Sequence, residues 1–298
     1  MPGRALGGSA EACVKSIARS NPLAPFELVE PRSLQEAIAA LQADGARPMS
    51  GGTALMLMMK AGVLRPTRLV NLRRLGLERL ESGPGGELRV GAMVTLRALE
   101  KSEHLKGWPV IQRTLRTLSN VRVRNVATVG GALAHGDPHM DLPPLLSALG
   151  ATVTIHGPKG ERAAKVEELY AGYLETTLAP GELITQVRIP ALGARKAAYL
   201  KCTTRSADDW PALGMAVVLD AQKVDLFLSA ATDRPTRLGA AEKVLSGKAI
   251  TDALLKQAAE AAREVQIDGD LHGSAAYKKH LVGVYLKRAI DEARNAGR

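Results

Sequence analysis

From Phe26 onward, apolar residues fall into alternating helical and extended periods. Ser33-x-x-Glu36 makes a capping-box pattern ahead of Ala37, Ile38, Ala40 and Leu41, which predicts a helix stopping near Gly45. The run from Leu55 to Lys60 predicts a second helix, and Arg68-Leu69-Val70-Asn71-Leu72 reads as a short strand, completing a small α/β unit. The turn Gly83-Pro84-Gly85-Gly86 precedes an alternating strand from Glu87 to Gly91, and helices follow from Thr95 and from Pro109 to Leu118. Ala151 to His156 and Leu183 to Ile189 also alternate as strands, the first closed by Gly157-Pro158-Lys159-Gly160. They complete a second, larger α/β unit ending at Pro190. Beyond a linker at 192–196, three strands (Ala197–Cys202, Gly214–Leu219, Val224–Ala230) precede three helices (Ala240–Leu245, Asp252–Glu264, Ala275–Arg294). That order predicts a separate α+β domain.

One stretch, Val121 to Gly150, fits neither period. Thr128-Val129-Gly130-Gly131-Ala132 predicts a tight turn bare of bulky side chains. Asp141-Leu142-Pro143-Pro144 predicts a helix start, with Asp141 as N-cap, the prolines in the first turn and Gly150 just past the end. The stretch therefore reads as strand or loop, Gly-Gly turn, polar loop and helix. A similar segment lies upstream, where Met49-Ser50-Gly51-Gly52-Thr53-Ala54 leads into the helix at Leu55, with Thr53 as its expected cap. A backbone without Cβ lets its N–H groups approach an anion closely, and a helix N-terminus adds partial positive charge. Neither segment is a G-x-G-x-x-G or a P-loop, so those two nucleotide motifs are excluded. Each Gly-Gly pair alone is more often an ordinary tight turn. Two of them suit a dinucleotide, whose pyrophosphate offers oxygens on two sides.

Composition narrows the classes. The chain of 298 residues is 46% apolar, enough for two or three compact units, and no apolar run approaches the ~20 residues of a membrane span. Its first 24 residues are small and polar and read as a flexible extension without a secretory core. Two cysteines, Cys13 and Cys202, are too few for an iron–sulfur cluster or a disulfide scaffold, which fits a cytoplasmic protein. The net charge of +10 raises the question of nucleic acid, but the basic residues are scattered and aromatics make up only 3%, so that reading is set aside. A basic surface equally suits an acidic partner or an anionic cofactor. Met56, Met58 and Met59 read as core filler and His135 has no companion ligand, so no metal is expected.

Residues along most of the chain resemble one family. Ser50-Gly51-Gly52-Thr53 with Met59-Lys60, Leu69-Val70-Asn71-Leu72, Arg124-Asn125-Val126-Ala127-Thr128-Val129-Gly130-Gly131, Asp137-Pro138, Asp141-Leu142-Pro143, Lys201 with Arg205 and Asp208, and Arg234-Pro235-Thr236-Arg237 occur in the order found in the FAD-binding (medium) subunit of the molybdenum hydroxylases. That group includes aerobic carbon monoxide dehydrogenase and xanthine dehydrogenase. The resemblance implies an α+β protein. A two-subdomain FAD-binding domain of the PCMH type would span 25–190 (subdomains about 25–75 and 76–190), and a small C-terminal flavoprotein domain with a three-stranded sheet would span 197–298. It implies non-covalent FAD, with Met49, Ser50, Gly51, Gly52, Thr53 and Ala54 on one side of the pyrophosphate and Thr128, Gly130 and Gly131 on the other. Asp141 would accept from flavin hydroxyls, Ile184 would lie against a ring, and Lys201 and Tyr173 would stand near the isoalloxazine.

The resemblance further implies an electron-transfer subunit without its own acid–base triad. Electrons would come from 2Fe–2S clusters of a small subunit, after oxidation of substrate at a molybdopterin-bearing large subunit, and pass through FAD to an external acceptor. A dimer of heterotrimers is the implied assembly. A free-standing FAD oxidoreductase and a non-enzymatic basic adaptor are the alternatives. Ala132 stands where relatives often carry Asn or Ser, and Asp209-Trp210-Pro211 replaces smaller residues. Gly51→Val and Gly130→Val are expected to leave a folded protein without FAD, and Lys201→Met to keep the fold.

Overall fold

The structure, a computed structural model, describes residues 23–296, so nearly all of the expected N-terminal extension and Cys13 lie outside the described residues. Strands β1 (Glu27–Val29), β2 (Ala46–Met49) and β3 (Arg68–Asn71) form a parallel sheet in the order β1-β3-β2, with α1 (Leu34–Ala40) and α2 (Leu55–Lys60) as crossovers. Ser33 caps α1 by accepting from the Glu36 N–H at 3.2 Å. The Glu36 carboxylate turns to the Arg32 N–H instead of that of Ser33, so only half of the predicted capping box forms. The expected cap of α2 does not form at all: its N-cap is Ala54, with no side-chain bond from Thr53.

The second unit is an antiparallel sheet of β4 (Leu80–Ser82), β5 (Leu88–Gly91), β6 (Thr152–Gly157), β7 (Gly160–Lys165) and β10 (Leu183–Ile189), ordered β4-β5-β10-β6-β7. A two-stranded hairpin, β8 (Tyr170–Gly172) and β9 (Glu175–Thr176), leads into β10. Between β5 and β6 run the helices α3 (Leu96–Lys101), α4 (Pro109–Thr117), α5 (Val121–Arg124), α6 (Val129–Ala134) and α7 (Leu142–Ala148). The stretch read as strand or loop and Gly-Gly turn is thus helical. Asn120 caps α5 and Thr128 caps α6 by accepting from the Gly131 N–H at 3.1 Å. Two glycines in a six-residue segment hide the helix from propensity.

The third unit has one strand more than expected. Strands β11 (Lys196–Cys202), β12 (Leu213–Leu219), β13 (Val224–Ser229) and the two-residue β14 (Thr236–Arg237) form an antiparallel sheet, followed by α8 (Gly239–Leu245), α9 (Asp252–Ala262) and α10 (Ala275–Asn295). Residues β12 to β13 form nearly unbroken apolar runs because both faces of the sheet are covered. Met215, Val217, Leu226 and Leu228 pack with Leu255, Val282, Leu286 and Ile290 of the helices. Their alternates Ala216, Val218 and Phe227 belong to the same core as Leu142, Leu145 and Leu146 of α7. Every residue of α7 is buried, so this helix is the wedge between the second and third units.

Because the two units share that core, they should unfold together. Leu145→Ala, at a fully buried position, is expected to cost about 2–5 kcal/mol and to shift a single urea transition monitored by circular dichroism. Two separated transitions would contradict the shared core.

Candidate functional site

The two glycine segments, far apart in sequence, meet in space. A Cβ on Gly51 would run into the Val126 carbonyl and Ala127, and one on Gly131 would lie 2.5 Å from the Ser50 hydroxyl. Gly130 packs as tightly in another direction, where a Cβ would stand 2.6 Å from that of Ala92. Its N–H donates to the Ala92 carbonyl at 2.9 Å, the Val129 N–H donates to Val94 at 3.0 Å, and the Ala92 N–H donates in turn to Thr185 at 2.9 Å. Strand β10, with the buried Ile184 beside a bulge, is therefore tied through Ala92 to the start of α6. These contacts overturn the expectation for Gly51→Val and Gly130→Val: both side chains would break packing before reporting on a ligand.

Gly52 differs. Its φ of +70° lies in the left-handed region, and the nearest atom to an added Cβ is Met56 Cγ at 3.4 Å. Among the described residues, the N–H groups of Gly51, Gly52, Thr53 and Ala54 donate to no protein acceptor. A half-buried row of unpaired N–H groups at the start of α2, faced by the capped start of α6, matches the donor set that phosphate oxygens require. The residues present thus fit the pyrophosphate of a dinucleotide.

A second cluster forms around Asp141 and Lys201. The Lys201 ammonium donates to Asp141 Oδ2 and to the Thr117 carbonyl, each at 2.9 Å, and to the Asp209 carbonyl at 3.4 Å. The Tyr199 hydroxyl donates to Asp141 Oδ1 at 2.7 Å. Asp141 makes no capping bond to α7; its carboxylate is spent on this cluster instead. Burial pushes the Asp141 carboxyl above its usual range, against the pull of Lys201 and Tyr199, and burial also raises the Tyr199 phenol, reinforced by Asp141. Removing the cation would leave a buried charge alone, so the expectation that Lys201→Met simply keeps the fold is also corrected.

The Thr117 carbonyl is itself held in place. Arg124 is buried, donates from Nε to Glu100 at 3.0 Å, and caps the Leu118 and Ser119 carbonyls with Nη1. Burial opposes charge on Glu100, but hydrogen bonds from Arg97 and Arg124 hold its carboxyl below the usual range. Ser119 adopts a φ of +53°, the bend that turns α4 back toward α5. Tyr199, Thr117 and the Arg124–Glu100 pair were not singled out in the sequence. Tyr199 had one legible signal, since it lies two residues before Lys201 on one strand and so shares its face.

The remaining candidates scatter. Met49 ends β2, half-buried. Tyr173 is 57% exposed at the turn of the β8–β9 hairpin, and the next residue, Leu174, donates to the Gly136 carbonyl at 3.0 Å. The hairpin tip therefore docks on the loop after α6. Burial pushes the His135 imidazole down, Asp137 at 3.9 Å opposing. Arg205, which carries part of the resemblance, is exposed and faces Asp209 at 4.0 Å.

Comparison with known proteins places the whole chain. Residues 24–192 match the FAD binding domain in molybdopterin dehydrogenase, and residues 198–293 match the CO dehydrogenase flavoprotein C-terminal domain. The chain is 32% identical to the carbon monoxide dehydrogenase medium chain of Afipia carboxidovorans, covering 90% of this chain and 96% of that one. It is 31% identical to the nicotine 6-hydroxylase medium subunit of Paenarthrobacter nicotinovorans, covering 91% and 98%. Among solved structures, the reconstituted CO dehydrogenase from Oligotropha carboxidovorans superimposes with a TM-score of 0.86 at 32% identity, over 91% of this chain and 98% of that one. Quinoline 2-oxidoreductase from Pseudomonas putida 86 gives 0.84 at 30% identity, over 91% and 97%. The chain belongs to the family of FAD-binding medium subunits of the molybdenum hydroxylases.

Proposed function

We propose that this chain carries FAD between a small subunit bearing 2Fe–2S clusters and an external electron acceptor, within a complex whose large subunit holds molybdopterin and oxidises the substrate. A dimer of heterotrimers in the cytoplasm is the proposed assembly. The observation that carries the reading is the row of unpaired N–H groups from Gly51 to Ala54, set against α6 by the Gly51–Val126 and Ser50–Gly131 contacts. When bound, FAD supplies the redox chemistry.

The protein's own residues bind and position. Backbone N–H groups of Gly51, Gly52, Thr53 and Ala54 donate to the pyrophosphate, and the helix starts of α2 and α6 add partial positive charge. Asp141 keeps lone pairs beyond those used by Tyr199 and Lys201 and offers them to cofactor hydroxyls. Lys201 places fixed positive charge beside the ring system, held by three protein acceptors so that it needs no reorganisation. Ile184 gives an apolar contact. Tyr173, exposed at its hairpin tip, would be free to lie against the flavin.

Purified protein should be yellow and release about one FAD per chain on denaturation, as expected of non-covalent binding. Gly52→Val leaves room around the added carbon but opposes the left-handed φ and obstructs the N–H row. A folded variant with FAD affinity reduced by about 10-fold or more is expected, roughly the 1.4 kcal/mol of a lost anion contact. Stoichiometric, unweakened FAD in Gly52→Val would refute the pyrophosphate assignment. Isolation of the native protein with two further subunits carrying molybdenum and iron separates this reading from a free-standing oxidoreductase.

The ion pair gives an independent prediction. Lys201→Met should lose about 3–5 kcal/mol of stability by stranding Asp141, and Asp141→Asn combined with Lys201→Met should restore much of it. Additive losses in a double-mutant cycle of denaturation midpoints would show that the two groups are not coupled.

A further inference from the structure

The loop Asp137-Pro138-His139, between α6 and α7, carries a cluster that the FAD reading leaves unused. His139 is nearly buried, and both of its ring nitrogens face carboxylates. Nδ1 lies 2.9 Å from Asp137 Oδ1, and Nε2 lies 2.8 Å from Asp270 Oδ2 on the turn before α10. Trp210 and His272 flank the imidazole at ring separations of 5.3 and 5.5 Å. Lys278, fully buried, donates to Asp270 at 2.7 Å and to the Ala230 carbonyl at 2.6 Å. His135 stands 3.9 Å from the other oxygen of Asp137. Among the described residues, these are the charged and titratable groups bonded to or stacked on His139 and its two carboxylates.

A neutral imidazole has one N–H and one lone pair, so it can satisfy only one of two carboxylates. The observed bridge needs both nitrogens to donate, and therefore needs the imidazolium. Burial works against that charge, but the hydrogen bonds and charges of Asp137 and Asp270 outweigh it and hold His139 above its usual value. Asp270 is held down to about 2: burial opposes its charge, but Lys278, His139 and the His272 N–H prevail. When His139 loses its proton, one carboxylate meets a lone pair. Asp137 still accepts from the His139 backbone N–H at 2.8 Å within its own loop. Asp270 then keeps Lys278 and the His272 N–H but loses the bond that joins its turn, Asp270–Gly273, to the loop before α7; Leu271 at the tip of that turn is fully exposed.

Through Trp210 the cluster reaches the Asp141–Lys201 pair. Asp209, the residue before Trp210, lends its carbonyl to the Lys201 ammonium. We propose that His139 is a positioning residue whose imidazolium clamps the Asp270–Gly273 turn and Trp210 onto the segment leading into Asp141, so that proton loss releases the turn from that segment and loosens the seat of Lys201. The last link rests on the flavin reading; the clamp itself does not. The sign of the pH dependence follows. The His139 contribution is complete below the unfolded value near 6.5 and is lost as pH rises through the higher folded value. The Asp270 contribution is present above its unfolded 3.8 and is lost as pH falls toward about 2.

The test uses the FAD-loaded full chain across about pH 5.5 to 8.5, where histidine titrates. Imidazole NMR should show His139 titrating above 6.5, while amide hydrogen exchange at 268–273, corrected for intrinsic base catalysis, accelerates about 10-fold through the same range. In His139→Gln the turn should exchange fast at every pH with FAD still bound. Titration of His139 below 6.5, or pH-independent exchange in the wild-type turn, would overturn the clamp whether or not the variant folds. If the chain retains no FAD, the flavin reading fails, and the same two measurements on that protein still decide the clamp.

Discussion

The buried pairing of Lys201 with Asp141 is the constraint on which the arrangement of the third unit against the second depends. An ammonium removed from water must find acceptors for its protons, and this one finds three: a carboxylate before α7 and carbonyls at the end of α4 and before Trp210. Those acceptors come from separate parts of the chain, so their positions are fixed together. Asp141 is the residue from which α7 departs, and α7 buries all its side chains between the two sheets. A shift of that wedge along β11 would separate the charges, so packing and electrostatics select the same register. Tyr199, on the same face of the strand, adds the second donor that the carboxylate requires.

Much of the fold was legible because local signals agreed with the global one. Strand β10 begins and ends where alternation places it, and α10 differs from the reading by one residue at its C-terminal end. Gly150 sits at the C′ position of α7 with a φ of +76°, as the apolar run up to Leu149 implies. The failures came where tertiary contacts override local preference. Val129–Ala134 is a helix despite Gly130-Gly131, because Thr128 caps it and Ala92 and Val94 accept its first N–H groups from outside. Strand β14 has two residues and no period to read.

The site was legible as a list of residues and not as a set of contacts. The glycine segments and the Asp141–Lys201 pair were all marked, yet nothing in the spacing announced that Lys201 would bond Asp141, 60 residues earlier. A side chain with two reasonable uses is decided by geometry. Asp141 is a good N-cap by type, but a buried ammonium within reach is a stronger partner than a backbone N–H, so the cap is forfeited. The Arg124–Glu100 pair was invisible for the same reason, since short basic runs such as Arg122-Val123-Arg124 ordinarily lie in solvent.

Glycine in this fold performs two separable tasks, and the distinction bears on how such motifs are read. Gly51 and Gly130 are demanded by the protein itself: an added carbon at either meets backbone or a methyl group of another segment. Gly52 is demanded by its left-handed φ, while an added Cβ would meet no backbone, only Met56 Cγ at 3.4 Å. The packing glycines bring α6 and the start of α2 together; the left-handed one shapes the row of N–H groups proposed to meet phosphate. In a pair such as Gly51-Gly52, the first residue is therefore demanded by packing and the second by its backbone angle, side by side. The Cβ-free contact of Gly51 with Val126 sets where the N–H groups of its neighbours stand, so the first task is the condition for the second.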